Sequence, residues 1–185
     1  MATTTKPKAP IVWKRALLTN GAMRPRPGGP DDIECIVLHQ TCQGHTMNAM
    51  PIRDYFNGMR ANRVSSHYVL GKERPRCYIV ECVPDDMEAW HAGSPSSWHG
   101  RSSVNGFSIG IEICDDGDGR AADSWPDRQI QALAYLLRVL FERHDLDMSD
   151  VTEHHLVLRT GERSDLTQDF PWTKLKAYVK DPPWK

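Results

Sequence analysis

The feature that most constrains this chain is a long, one-sided helical stripe. In residues 126–144 the apolar side chains Ile130, Leu133, Ala134, Leu137, Leu140 and Phe141 recur at the helical period, and Ser124-Trp125-Pro126-Asp127 supplies a start signal. A helix apolar along one face has to bury that face against another layer. The same chain offers the layer, because residues 33–39, 67–71, 77–83, 107–114 and 151–158 are short runs rich in β-formers. A second amphipathic helix is predicted over residues 50–60, where Ile52, Tyr55, Phe56 and Met59 fall at i, i+3, i+4 and i+7 and Pro51 suits the first turn. A last helical turn or two is expected around residues 172–179. The order β-α-β-β-β-α-β predicts a mixed α/β domain, a central mixed β-sheet flanked by helices. At 185 residues the chain suits one domain with a real core and is short for two.

Ahead of the first strand, Pro7, Pro10, Pro25, Pro27 and Pro30 deny backbone donors to regular structure. Residues 1–30 are therefore expected to form an extended, Pro/Gly-rich basic arm, with Ile11-Val12-Trp13 able to pin part of it, and residues 31–185 the folded domain. Deleting the first twenty or so residues is expected to leave that domain intact. Lys and Arg number 23 against 24 Asp and Glu, a formal charge of -1, so no global basic field points to nucleic acid. The longest largely apolar stretch, residues 132–141, is broken by Arg138 and falls far short of the roughly 20 residues of a membrane span. The N-terminus lacks the apolar segment of a secretory signal. The five cysteines show no C-x-x-C spacing and are expected mostly as reduced core thiols.

Of the eight histidines, those near other potential ligands are informative. His39 ends the first strand, His154-His155 sits in the last, and Asp165 follows in Arg163-Ser164-Asp165. Two imidazoles and a carboxylate leave zinc an open position for water, although the spacing alone does not join them. In residues 107–114 the strand period puts Ile109, Ile111 and Ile113 on one face and Ser108, Gly110 and Glu112 on the other. If that second face is covered, Glu112 needs a partner or a task; if it faces solvent, it needs neither. Glycine at 110 leaves room, suited to a floor under a substrate.

The stretches Ile36-Val37-Leu38-His39-Gln40-Thr41, Val64-Ser65-Ser66-His67-Tyr68-Val69, Ala89-Trp90-His91-Ala92-Gly93, Asn105 with Ser108-Ile109-Gly110-Ile111-Glu112, Glu153-His154-His155, Arg163-Ser164-Asp165 and Phe170-Pro171-Trp172 occur in one order over about residues 33–175. In that order they resemble the zinc-dependent N-acetylmuramoyl-L-alanine amidases, shared by phage endolysins and peptidoglycan recognition proteins. The resemblance implies an amidase-like fold and cleavage of the amide between N-acetylmuramic acid and L-alanine in peptidoglycan. It implies zinc held by His39, His154 and Asp165, Glu112 as acid/base and Arg163 beside the developing oxyanion. Trp90 and His91 would line the groove, with Asn105 near its wall, and His67 fits a packed structural position. The chain departs from the family pattern at Arg163, where many members have Lys, at Leu166-Thr167 in place of Pro-Gly, and at Glu153 in place of Gly.

The expected role is lysis of a host cell by an endolysin that waits in the host cytoplasm, acting as a monomer on peptidoglycan, with no nucleic-acid or membrane partner. A non-catalytic peptidoglycan-binding module and a bacterial cytoplasmic amidase recycling soluble anhydro-muropeptides are the alternatives. On a strand His154 and His155 would point to opposite faces, so only one meets His39. The family's ligand follows the position held by Glu153, which selects His154, whereas the family's usual ten-residue spacing to Asp165 selects His155. The first is preferred because a loop absorbs an insertion and a strand register does not.

Overall fold

The computed structural model describes residues 11–41, 48–59, 63–115, 125–158 and 165–184. Its strands are β1 (Ile11–Arg15), β2 (Met23–Pro25), β3 (Cys35–Gln40), β4 (Tyr68–Leu70), β5 (Cys77–Glu81), β6 (Met87–Ala89), β7 (Ser97–Trp98), β8 (Arg101–Ser102), β9 (Ser108–Ile113) and β10 (Val151–Glu153). Its helices are α1 (Ala49–Gly58), α2 (Asp127–His144), the single turn α3 (His154–Val157) and α4 (Trp172–Lys180). The central sheet has six strands in the order β1-β5-β4-β9-β3-β10, and only the β4–β5 pair is antiparallel.

The long stripe finds its layer. Ile130, Leu133, Leu137 and Leu140 of α2 pack with Ile36, Leu38, Ile109, Ile111 and Ile113 from one face of the sheet. On the other face, Ile52 and Phe56 of α1 cover Val69, Val80 and Cys114, while Cys35 and Val37 meet Ala92, Val104, Phe107 and Val157. β3 is thus buried on both sides, which is why it reads as an unbroken apolar run. The four described cysteines are buried and reduced, and burial pushes the thiols of Cys35, Cys77 and Cys82 up to about 12. Cys42 lies outside the described residues. No described helix is long and apolar enough to cross a membrane.

Two expectations need correction. The described part of the basic arm, residues 11–30, belongs to the packed domain: β1 pairs in parallel with β5, and β2 pairs with β6. Arg26 is only 4% exposed and donates to the carbonyls of Asp85, Asn105, Met87 and Ser108. The β2–β6 pair is antiparallel. Prolines exclude a long ladder but permit short edge strands, and a buried guanidinium is tolerated where its N–H groups meet so many acceptors. Residues 1–10 lie outside the described part. The second correction concerns residues 151–158, expected as one strand. β10 stops at Glu153, and the chain turns into α3, closed by Leu158 N–H donating to His154 O at 3.0 Å.

Candidate metal centre and groove

β4, β9, β3 and β10 run the same way, so their carboxyl ends share one edge of the sheet, where open α/β sheets receive ligands. His39 is the penultimate residue of β3, Glu112 that of β9, and the two are register partners. His154 opens the turn directly after β10. Asp165 approaches from the loop before α4. One potential ligand atom from each of His39, His154 and Asp165 lies within 4.8 Å of the others, and all three residues are buried. Asp165 Oδ2 stands 3.1 Å from His154 Nδ1 and 3.5 Å from His39 Nδ1. Burial works to raise the Asp165 carboxyl, but hydrogen bonds to His154 and His39 outweigh it and hold the group well below the usual carboxylate range.

The orientation of His39 follows from its neighbours. Ser108 Oγ–H donates to Val104 O at 2.7 Å, leaving Ser108 Oγ to accept from His91 Nε2 at 3.2 Å. Burial holds His91 well below 6.5, so it is neutral and its Nδ1 is bare. That atom accepts from His39 Nε2–H at 3.0 Å, and His39 Nδ1 faces Asp165 Oδ2 at 3.5 Å. His154 Nε2 is buried without a hydrogen-bond partner among the described residues. A closely spaced N, N, O donor set with one imidazole oriented from behind by His91 fits Zn²⁺.

His155 is not one of these donors. Its Nδ1 stands 3.2 Å from Glu153 Oε2 and 3.3 Å from the backbone oxygen of Asp165, with its side chain 38% exposed, on the helical turn that follows β10. The space beside Gly110 is filled by His91: a Cβ there would stand 2.5 Å from His91 Cγ. The glycine is therefore the seat of the His39 support and not a floor under substrate. Asn105 stands next to the cavity wall: its Oδ1 accepts from the backbone N–H groups of His91 and Ala92 and shapes the loop carrying His91. His67 is fully buried and takes Gly110 N–H on Nδ1; burial first, then Arg26, pushes it down to about 3. Arg163 lies outside the described residues.

His39, His91, His154, Asp165 and Glu112 line a cavity of about 400 Å³ whose remaining wall is mostly apolar, from Ile52, Tyr55, Phe56, Met59, Val64 and Trp90. Trp90 thus lies on the cavity wall. Tyr55, read from its spacing as part of the core stripe, is 48% exposed and edges the groove. Gln40 and Thr41 also line the cavity; nothing in the local pattern marks them apart from their place after His39.

Two histidines and an aspartate at the carboxyl edge of a mixed sheet, with a glutamate in register beside them, define a candidate hydrolytic metal centre. The family model described as N-acetylmuramoyl-L-alanine amidase matches residues 29–169, and the chain belongs to that family. It is 35% identical over 132 residues to the 1,6-anhydro-N-acetylmuramyl-L-alanine amidase AmpD of Citrobacter freundii, across 71% of this chain and 64% of that protein. The chain thus spans less than two thirds of that relative's length. A crystal structure of a selenomethionine AmpD derivative superposes with a TM-score of 0.72 at 26% identity, covering 97% of this chain and 99% of that one. Escherichia coli AmiD, solved with the substrate anhydro-N-acetylmuramic acid-L-Ala-D-γ-Glu-L-Lys, gives a TM-score of 0.62 at 28% identity, over 79% and 57% of the two chains.

Proposed function

We propose that this chain is a zinc-dependent N-acetylmuramoyl-L-alanine amidase that hydrolyses the amide between N-acetylmuramic acid and L-alanine. The observation that carries the reading is the convergence of His39, His154 and Asp165 in a cavity that Glu112 also lines. His39, His154 and Asp165 would hold the zinc, which when bound would supply a Lewis acid for the scissile carbonyl and lower the pKa of a water toward neutrality. Glu112 takes the proton of the attacking water and delivers it to the leaving nitrogen. His91 holds His39 in the ligating orientation. Trp90, Tyr55 and Val64 offer an apolar wall that orients the muropeptide and lowers the local dielectric. Arg163, two residues before Asp165 in sequence, would be the source of positive charge for the developing oxyanion.

Within this chemistry a soluble anhydro-muropeptide is the favoured substrate. The AmpD relatives carry that substrate in their name, and AmiD was solved with one bound. Lysis of intact wall by a phage enzyme, expected from the sequence, is the second outcome of the test. Mass spectrometry of products from a purified anhydro-muropeptide and from intact peptidoglycan, each with metal-free and zinc-loaded protein, separates them. Release of an intact stem peptide beginning at L-Ala, zinc-dependent and faster from the soluble fragment, is expected. Glu112→Gln should keep its zinc and lose roughly 10²-fold in turnover. Faster release from the wall selects the lytic role, and binding without any product selects a non-catalytic module.

A further inference from the structure

A buried polar relay adjoins the candidate metal centre, with Gln40 and Thr41 on the cavity wall. Lys72 follows β4 by two residues, Asp115 follows β9, and Gln40 and Thr41 close β3. All four are buried, at 8% exposure or less. Lys72 Nζ donates to Asp115 Oδ1 at 2.8 Å, and Gln40 Nε2 donates to Asp115 Oδ2 at 2.5 Å. On the other side of the same amide, Gln40 Oε1 accepts the backbone N–H of Thr167 at 3.0 Å. The carboxylate can only accept and the peptide N–H can only donate, so the orientation of the Gln40 amide follows from its partners. Thr41 Oγ1 meanwhile accepts Asp115 N–H and donates to Asp115 O, at 2.8 Å and 3.2 Å, which ties the ends of β3 and β9 together.

The geometry matters because of what lies on each side of Gln40. One residue before it is His39. Two residues before Thr167 is Asp165, the third donor. We propose that Gln40 is a positioning residue for the metal centre: held by the buried Lys72–Asp115 ion pair, its amide fixes the loop that carries Asp165 against the strand that carries His39. Leu166 and Phe170 bury the apolar side of the same loop in the α2 core. They set its depth, while the directional bond from Gln40 sets its register along the strand end. A donor displaced by a fraction of an ångström loses much of its worth to a small tetrahedral cation.

The inference rests on the metal reading above, and its test separates the two. In the full-length protein, zinc affinity is measured by competition with a chromophoric chelator, alongside the visible bands of the cobalt-loaded form and the melting of the metal-free form. Gln40→Met, similar in length and unable to hydrogen-bond, should bind zinc roughly 10- to 100-fold more weakly and shift the cobalt bands, while the metal-free protein still melts cooperatively. Thr167→Ala, which keeps the backbone donor, should bind zinc like the parent. If Gln40→Met does not fold, Gln40→Glu replaces it: that side chain fits the space and accepts from Thr167 but meets Asp115 with like charge, and the same weakening is expected. Parental zinc affinity in a folded Gln40 variant, or equal weakening in Thr167→Ala, overturns the positioning role. A parent protein that binds no zinc overturns the metal reading instead.

Discussion

At the residue scale, the candidate site depends on small side chains and tautomers as much as on the ligands themselves. Gly110 is the clearest case. Any side chain there meets the His91 ring at 2.5 Å, and the ring cannot move aside without giving up the bonds its two nitrogens make to His39 and Ser108. Gly110→Ala should therefore expel His91, cost about 1–3 kcal/mol by overpacking, and weaken zinc binding by roughly tenfold or more through loss of the His39 support. Urea unfolding and zinc titration of the variant read both effects; parental zinc affinity would mean that His91 does not hold His39. The motif around His91 was visible in the sequence, but its partner was not. A histidine in a Trp-rich loop reads as groove lining until the loop is folded over β9.

At the scale of elements, the sheet is tied to the surrounding loops by buried polar groups. Arg26, from the segment after β2, and His67, just before β4, meet at 3.0 Å beneath the loop that precedes β9. His67 donates its Nε2–H to Met87 O at 3.0 Å and is held neutral, its pKa pushed from 6.5 down to about 3 by burial and by Arg26. The unfolded chain takes up that proton near 6.5 and the folded chain does not. Stability contributed by the neutral ring is therefore fully present above about 6.5 and is lost as pH falls from there toward 3, by up to about 1.4 kcal/mol per pH unit. Unfolding free energies across that range should show a shallower acid slope in His67→Gln than in the parent, by one proton's worth. Equal slopes would mean that His67 titrates alike in both states. The burial of Arg26 could not be anticipated, because its four carbonyl acceptors belong to residues far along the chain and a basic, proline-rich stretch carries no periodic signal.

At the scale of the whole molecule, what was legible in the sequence was periodic. The stripe of α2 and the alternation of β9, which sets Glu112 opposite Ile111 and Ile113, are local patterns of 3.6 and 2 residues, and both elements fold as those patterns dictate. The relation among His39, His154 and Asp165 rested on the order of short motifs, since no spacing rule brings the ends of two strands and a loop together. The turn at His154 escaped prediction because residues 151–158 keep their β-like composition after the chain has left the sheet. That turn decides which histidine of the pair faces the site. Elemental analysis of the full chain, of His154→Ala and of His155→Ala tests the metal centre most directly. About one zinc per chain in the parent and in His155→Ala, with loss in His154→Ala, is the predicted result; full zinc retention in His154→Ala would contradict it.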